Sequence, residues 1–244
     1  MGCAVVIGAS GGIGEALVRA LLRRPEFVAV VALSRAGAAP ADVVSDRLIR
    51  GRIDLLDEAS IEGAVQGPVA AAGSPPTLVL VATGLLHGEG VGQPERSWRS
   101  LDGDALTQAW RVNAVGPALV AKHMLPLLPR TGRSVFAALS ARVGSIGDNR
   151  LGGWHAYRAS KAGLNMILRN LAIELARSRP EAICLGLHPG TVATGLSKPF
   201  QAGVADGKLF TPEFCAESLL SVCAGAIPAQ SGSVLAWDGL VVVP

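Results

Sequence analysis

Tyr157 is the only tyrosine of this 244-residue chain, and it stands four residues before Lys161 in Tyr-Arg-Ala-Ser-Lys. On a helix, positions four apart share a face, so the phenol and the ammonium would point the same way. A cation beside a phenol stabilises phenolate and lowers its pKa from about 10, which suits a general acid or base of carbonyl chemistry. Ser140 ends the apolar run Arg133–Leu139, and its hydroxyl can donate to an oxygen on which negative charge develops. Taken alone, a Tyr–Lys pair at this spacing is equally an ordinary helix surface.

A second cluster suits a phosphate-bearing ligand. Gly8-Ala9-Ser10-Gly11-Gly12-Ile13-Gly14 follows the first strand-like run and opens the first helix-like one. A helix N-terminus offers unpaired N–H groups and the positive end of a dipole, and glycines let the backbone come close to a pyrophosphate. Gly8, Ser10, Gly11, Gly12, Ile13 and Gly14 are therefore expected to bind a dinucleotide. The same stretch formally matches the Gly-x-Ser-x-Gly nucleophile elbow of hydrolases, but only one strand precedes Ser10, and no histidine follows His188.

About 20 residues beyond such a loop, NAD-binding folds place an acid against the ribose 2′-hydroxyl. Ser34 and Arg35 stand there instead. No carboxylate repels a 2′-phosphate, and a guanidinium is available to grip one, so NADP is expected over NAD. Asp54 and Leu55, at the end of the third strand-like run, are expected at the adenine edge; the other reading of Asp54 is a plain loop acid.

These groups need a frame to bring them together. Apolar runs at Cys3–Ile7, Phe27–Leu33, Arg47–Arg52, Thr77–Ala82, Arg133–Leu139, Ala182–His188 and Ser233–Ala236 read as strands. Between them Gly12–Arg23, Asp57–Val65, Asp102–Leu128, Trp154–Arg179 and Pro212–Gly225 read as helices. This alternation predicts an α/β fold: a single-domain, doubly wound, Rossmann-like parallel sheet over residues 1–244, with helices on both faces. The long loops Gly84–Ser100, Val143–Gly153 and Gly195–Phe210 follow strands, so they should gather at the carboxyl edge where open α/β sheets bind ligands.

Composition agrees. Half the residues are hydrophobic, 4% are aromatic and 17% are charged, as expected of small-residue helices on parallel strands. The net charge of +3 comes from scattered arginines, so no nucleic-acid partner is expected. The apolar stretches are too broken to span a membrane, and the start of the chain lacks a basic leader. Four cysteines without a CxxC pair read as reduced thiols of a cytoplasmic protein. The four histidines have no ligand spacing, so no metal is expected.

Taken in order, Gly8, Gly12 and Gly14, then Ser140, Tyr157-x-x-x-Lys161 and His188-Pro189-Gly190-x-x-x-Thr194 resemble the short-chain dehydrogenase/reductase family over essentially the whole chain. The stretches ATGLLH, SARVGSIGDNRLGGWHAYRASKAGLNM and HPGTVATGLSKPF are most similar to its C-factor-like group, named for a bacterial cell–cell signalling protein. The resemblance implies a tetrad. Tyr157 would be the acid/base, and Lys161 would bind the nicotinamide ribose and lower the tyrosine pKa. Ser140 would orient the carbonyl, and Asn113 would hold a water for proton relay. It further implies that Pro189 and Gly190 close on the nicotinamide, with the Val192 backbone and the Thr194 hydroxyl at its carboxamide. A small-molecule carbonyl substrate follows, with assembly as a homodimer or homotetramer through Asp102–Leu128, Trp154–Arg179 and the C-terminal strand.

Three departures from the family pattern stand out. Ile7 replaces a threonine before the first glycine, and Ala82-Thr83-Gly84 replaces Asn-Ala-Gly beside the cofactor. An insertion around Asp148–Trp154 should cover the pocket mouth. Trp154, Phe200 and Phe210 are candidate walls of an apolar pocket, with residues 195–210 as a lid. The competing function is a dinucleotide-binding signalling protein whose output does not need turnover.

Overall fold

The structure is a computed structural model that describes residues 2–88 and 90–244. Its β-branched and leucine-rich runs form β1 (Gly2–Ile7), β2 (Phe27–Ser34), β3 (Leu48–Arg52), β4 (Pro76–Val81), β5 (Ser134–Leu139) and β6 (Ala182–His188). Two short strands, β7 (Thr191–Val192) and β8 (Leu209–Phe210), pair with each other, and β9 (Val234–Ala236) comes last. The main sheet runs β3-β2-β1-β4-β5-β6-β9, and every neighbouring pair is parallel. Strand order reverses between β1 and β4, and at that point the loops after these strands part to leave a crevice.

Side chains alternate across the sheet, so each strand feeds two cores. Val5, Ile7, Leu33, Val81 and Phe136 point to one face, where they meet Met124, Leu164 and Leu168 of α4 (Gly116–Met124) and α5 (His155–Ala176). Val6, Val30, Leu80, Ile183 and Leu185 point to the other, against Leu17 of α1 (Gly12–Leu22) and Leu219 of α6 (Pro212–Gly225). With each fully buried aliphatic or aromatic side chain contributing about 1.5–3 kcal/mol, these two layers hold the sheet edge rigid. The sheet is the doubly wound α/β frame expected.

Helix starts follow side-chain chemistry. Asp57 caps α2 (Glu58–Ala64) by accepting from the Ala59 N–H, Asp102 caps α3 (Gly103–Trp110) from Ala105, and Thr211 caps α6 from Phe214.

The expected single helix over 102–128 is interrupted. A π turn at Arg111–Val115 separates α3 from α4, and a 3₁₀ turn at Leu125–Leu127 ends the run. The break has a local cause: Asn113 turns its amide away from solvent to bond the loop after β4, and Pro117 of α4 has no N–H for a regular ladder. Gly116 then lets the helix lie against Leu55, since a Cβ there would sit 2.8 Å from the Leu55 Cβ. The expected loops 143–153 and 195–210 also carry short structure: a 3₁₀ turn at Arg142–Gly144, another at Lys198–Gly203, and β8. Among the described residues no helix is long and apolar enough to cross a membrane.

Candidate active site

A cavity of about 640 Å³ opens at the switch point, lined by Gly8, Ser10, Gly11, Ser34, Arg35, Asp54, Leu55, Ala82, Thr83 and Gly84 from the sequence-derived set. It also takes in Ile53, Leu56, Leu85, Gly90, Gln108 and Val112, which motif reading did not point to because their segments carry no signature. Gly12, Ile13, Gly14, Tyr157, Lys161, Pro189, Gly190, Val192 and Thr194 do not line it, nor do Ser140 and Asn113. Gly12 and Thr194 are nonetheless neighbours, since a Cβ on Gly12 would lie 2.9 Å from Thr194 Cγ2.

The glycine loop fits a pyrophosphate. Gly8 has φ +89°, a conformation open to glycine, and a Cβ on Gly14 would sit 2.1 Å from the Gly8 carbonyl oxygen. The N–H groups of Gly12, Ile13 and Gly14 open α1 without an intrahelical acceptor, and Gly11 brings no side-chain cap. Thr83 packs its methyl beneath Gly8, while its buried Oγ1 has no hydrogen-bond partner among the described residues. Thr83 lines the cavity, with that hydroxyl turned out of solvent's reach.

At the β2–β3 corner of the cavity, Ser34 is buried and its Oγ accepts from the Gly37 N–H at 3.1 Å, fixing the turn that exposes Arg35. Arg52 stands opposite Ser34 in the β2–β3 ladder, so a second exposed guanidinium flanks the same corner. Asp54 Oδ1 accepts from the Leu56 N–H at 3.0 Å and shapes the next turn.

Tyr157 and Lys161 share a face of α5 as expected, with the Lys161 Nζ 5.7 Å from the centre of the Tyr157 ring. Lys161 is almost wholly buried and donates to the Leu139 carbonyl at the end of β5 at 2.7 Å. Burial lowers its pKa to about 7, and burial pushes Tyr157 up to about 12. The tyrosine therefore moves opposite to the direction its lysine neighbour alone predicts: desolvation outweighs a cation that is itself partly discharged and engaged with a carbonyl.

Asn113 is fully buried and clamps Leu85 through both backbone groups, accepting from its N–H and donating to its C=O at 2.8 Å each. Its remaining N–H donates to Ser160 Oγ at 3.0 Å. Both amide protons are thus committed to the protein. Asn113 Oδ1 and Lys161 Nζ each lie 3.8 Å from where a Gly84 Cβ would be, so the asparagine, the lysine and the cavity loop meet at one point.

Ser140 is buried, and its Oγ donates to Asn165 Oδ1 at 2.6 Å. Sequence reasoning passed over Asn165, although its place four residues after Lys161 puts it on the catalytic face. It also passed over Glu95, a buried carboxylate from a loop with no motif. Glu95 accepts from the Ala156 N–H at 3.2 Å while its own carbonyl accepts from the Trp154 N–H at 2.6 Å. These bonds cap α5 and hold Trp154 in the left-handed region at φ 50°.

Trp154 meets Tyr157 edge-on at 6.4 Å and Phe200 at 5.0 Å, and Phe200 meets His87 at 5.8 Å. His87 Nε2 is 3.0 Å from the Leu196 carbonyl. Trp154, Phe200 and His87 thus form a chain of ring contacts that begins at the tyrosine. Phe210 lies elsewhere, against Phe214 and Trp237.

The depressed Lys161 pKa has a measurable consequence. Between about pH 7 and its ordinary 10.5, the unfolded chain holds a proton there that the folded chain does not, so this group's contribution to stability rises with pH across that window. Lys161→Met removes the penalty. Thermal unfolding of the ligand-free chain should show a gain, relative to the parent, that is largest below about pH 7 and shrinks toward pH 10. A difference that stays constant with pH would show that Lys161 is not desolvated.

A family model described as short chain dehydrogenase matches residues 2–205. The chain is 31% identical over 240 residues, 98% of each partner, to 1-hydroxy-2-glutathionyl-2-methyl-3-butene dehydrogenase of Rhodococcus sp. (strain AD45). To the C-signal protein of Myxococcus xanthus it is 35% identical over 135 residues, which is 55% of this chain and 75% of that one. The likeness to the C-factor group is therefore partial. The fold superposes on an NADPH-bound carbonyl reductase from chicken fatty liver with a TM-score of 0.84 at 24% identity, covering 99% of this chain and 94% of that one. With its glycine loop at the switch point and Tyr157 and Lys161 facing the sheet edge, the chain belongs to the short-chain dehydrogenase/reductase family.

Proposed function

We propose that the chain is an NADP-dependent reductase of an apolar carbonyl compound, with Tyr157 as the general acid. The observation that carries this reading is the placing of the half-buried Tyr157 and the buried Lys161 on one face of α5 beside the carboxyl end of β5, with the Lys161 Nζ 5.7 Å from the centre of the phenol ring. When bound, the nicotinamide supplies a hydride to the carbonyl carbon. Tyr157 gives its hydroxyl proton to the carbonyl oxygen as the C=O electron pair moves onto that oxygen. Lys161, poised near neutrality, restores the proton to the phenolate. The Gly12–Gly14 N–H groups take the pyrophosphate, and Arg35 with Arg52 grips the 2′-phosphate.

Asn113 acts chiefly by clamping Leu85; a relay water would be held by main-chain groups of the π turn. Binding alone would not require a protonated tyrosine and a desolvated lysine on one helix face, which sets turnover above the signalling reading. The four free, buried cysteines suit a reducing cytoplasm. Trp110, Met166 and Ile173, exposed on α3 and α5, offer a face for self-association as a dimer or tetramer.

Tyr157→Phe should lower carbonyl reduction about 10²–10⁴-fold while NADPH affinity, read by fluorescence titration, stays near that of the parent. Activity within a few-fold would remove the tyrosine from the chemistry. Arg35→Ala should raise the KM for NADPH about 10-fold or more and leave the KM for NADH unchanged, as expected for one charge-assisted contact. An equal rise for both cofactors would sink the phosphate assignment. Phe200→Ala should raise the KM for an aryl ketone about 10-fold, the worth of one buried ring, with little effect on a two-carbon aldehyde. A panel showing no size dependence would take Phe200 out of the pocket wall.

A further inference from the structure

A serine hydroxyl has one proton to donate and two lone pairs to receive with. For Ser140 to orient a carbonyl oxygen, that proton must face the substrate. In the structure it faces Asn165, whose Oδ1 accepts it at 2.6 Å. Only lone pairs are then left for any further partner, and a carbonyl oxygen would meet like charge there. The serine itself has little freedom to move. It is 3% exposed, its N–H donates to the Leu187 carbonyl at 2.8 Å, and its Cβ lies 3.5 Å from where a Gly186 Cβ would be.

Asn165 is better placed to change. It is half-buried on α5, one turn beyond Lys161, and its side chain makes no other hydrogen bond among the described residues. The torsion that orients its amide is broad and two-fold. Half a turn about it replaces Oδ1 with the Nδ2–H₂ group at the same place. Ser140 then receives a hydrogen bond in place of giving one, and its own proton is released toward the pocket.

We propose that Asn165 is a positioning residue that sets the direction of the Ser140 proton. Its amide oxygen holds that proton in the resting site, and its amide N–H frees it for the substrate's carbonyl oxygen. The proposal rests on the reading of Ser140 as the group that orients that oxygen. Asn165 acts through the serine and touches no reacting atom.

A double-substitution cycle separates this role from a simple tie between α5 and β5. Ser140→Ala should lower kcat about 10²-fold. Asn165→Leu should lower kcat about 10-fold with the NADPH dissociation constant unchanged, and Asn165→Ala should reproduce it if the larger side chain disturbs folding. In the Ser140→Ala background, Asn165→Leu should change kcat by less than about twofold, because its effect runs through the missing hydroxyl. Losses that multiply toward about 10³-fold, or a single Asn165 variant with parental kcat, overturn the proposal. A second readout needs no turnover: the side-chain amide resonances of Asn165 in the isotope-labelled, ligand-free chain should move on Ser140→Ala. Unmoved resonances overturn the pairing. A parent chain that reduces no carbonyl compound would instead defeat the functional reading and leave the amide resonances to report on the pair.

Discussion

The bond from the Lys161 ammonium to the Leu139 carbonyl anchors the catalytic face of the molecule. It joins the second turn of α5 to the carboxyl end of β5. Making that bond requires burying a lysine, and the surroundings are shaped to allow it. A Cβ on Gly144 would lie 2.8 Å from the Lys161 Cβ, so the turn after Ser140 closes down on the lysine stem. Gly163, two residues on, lies beneath the Trp110 ring, where a Cβ would come within 2.2 Å. One glycine in the turn after β5 and one on α5 thus let that turn and α3 pack closely against α5 around Lys161.

Once the lysine is dry, the electrostatics of the site follow. With no carboxylate among the described residues bonded to the lysine, desolvation is the largest influence on both groups, and it pushes them toward their neutral forms. A neutral phenol is the form that an acid needs. A lysine near neutrality is the form that can pass a proton in either direction. The rest of the site holds this pair in register. Glu95 caps the start of α5, and Asn113 fastens the loop after β4 to the π turn.

The sheet was readable in the sequence because parallel strands buried on both faces are continuous apolar runs, and those runs stand out against a chain so poor in aromatics. The glycine loop and the Tyr-x-x-x-Lys spacing were readable because each is local and tied to one element. What escaped were features that arise only when distant segments meet. The π turn at Arg111–Val115 depends on Leu85 drawing Asn113 inward. Glu95 matters because a loop returns 61 residues before the helix N–H that it caps. The direction of the Tyr157 shift was misread for the same reason: helix spacing reveals the neighbouring cation, but only packing reveals that water is gone.

Because Tyr157 is the sole tyrosine, its ionisation can be followed by phenolate absorbance in the intact, ligand-free chain. Burial predicts that the phenolate appears only as the pH approaches about 12. A titration completed near neutrality would contradict that, showing a tyrosine governed by a charged lysine and not by desolvation.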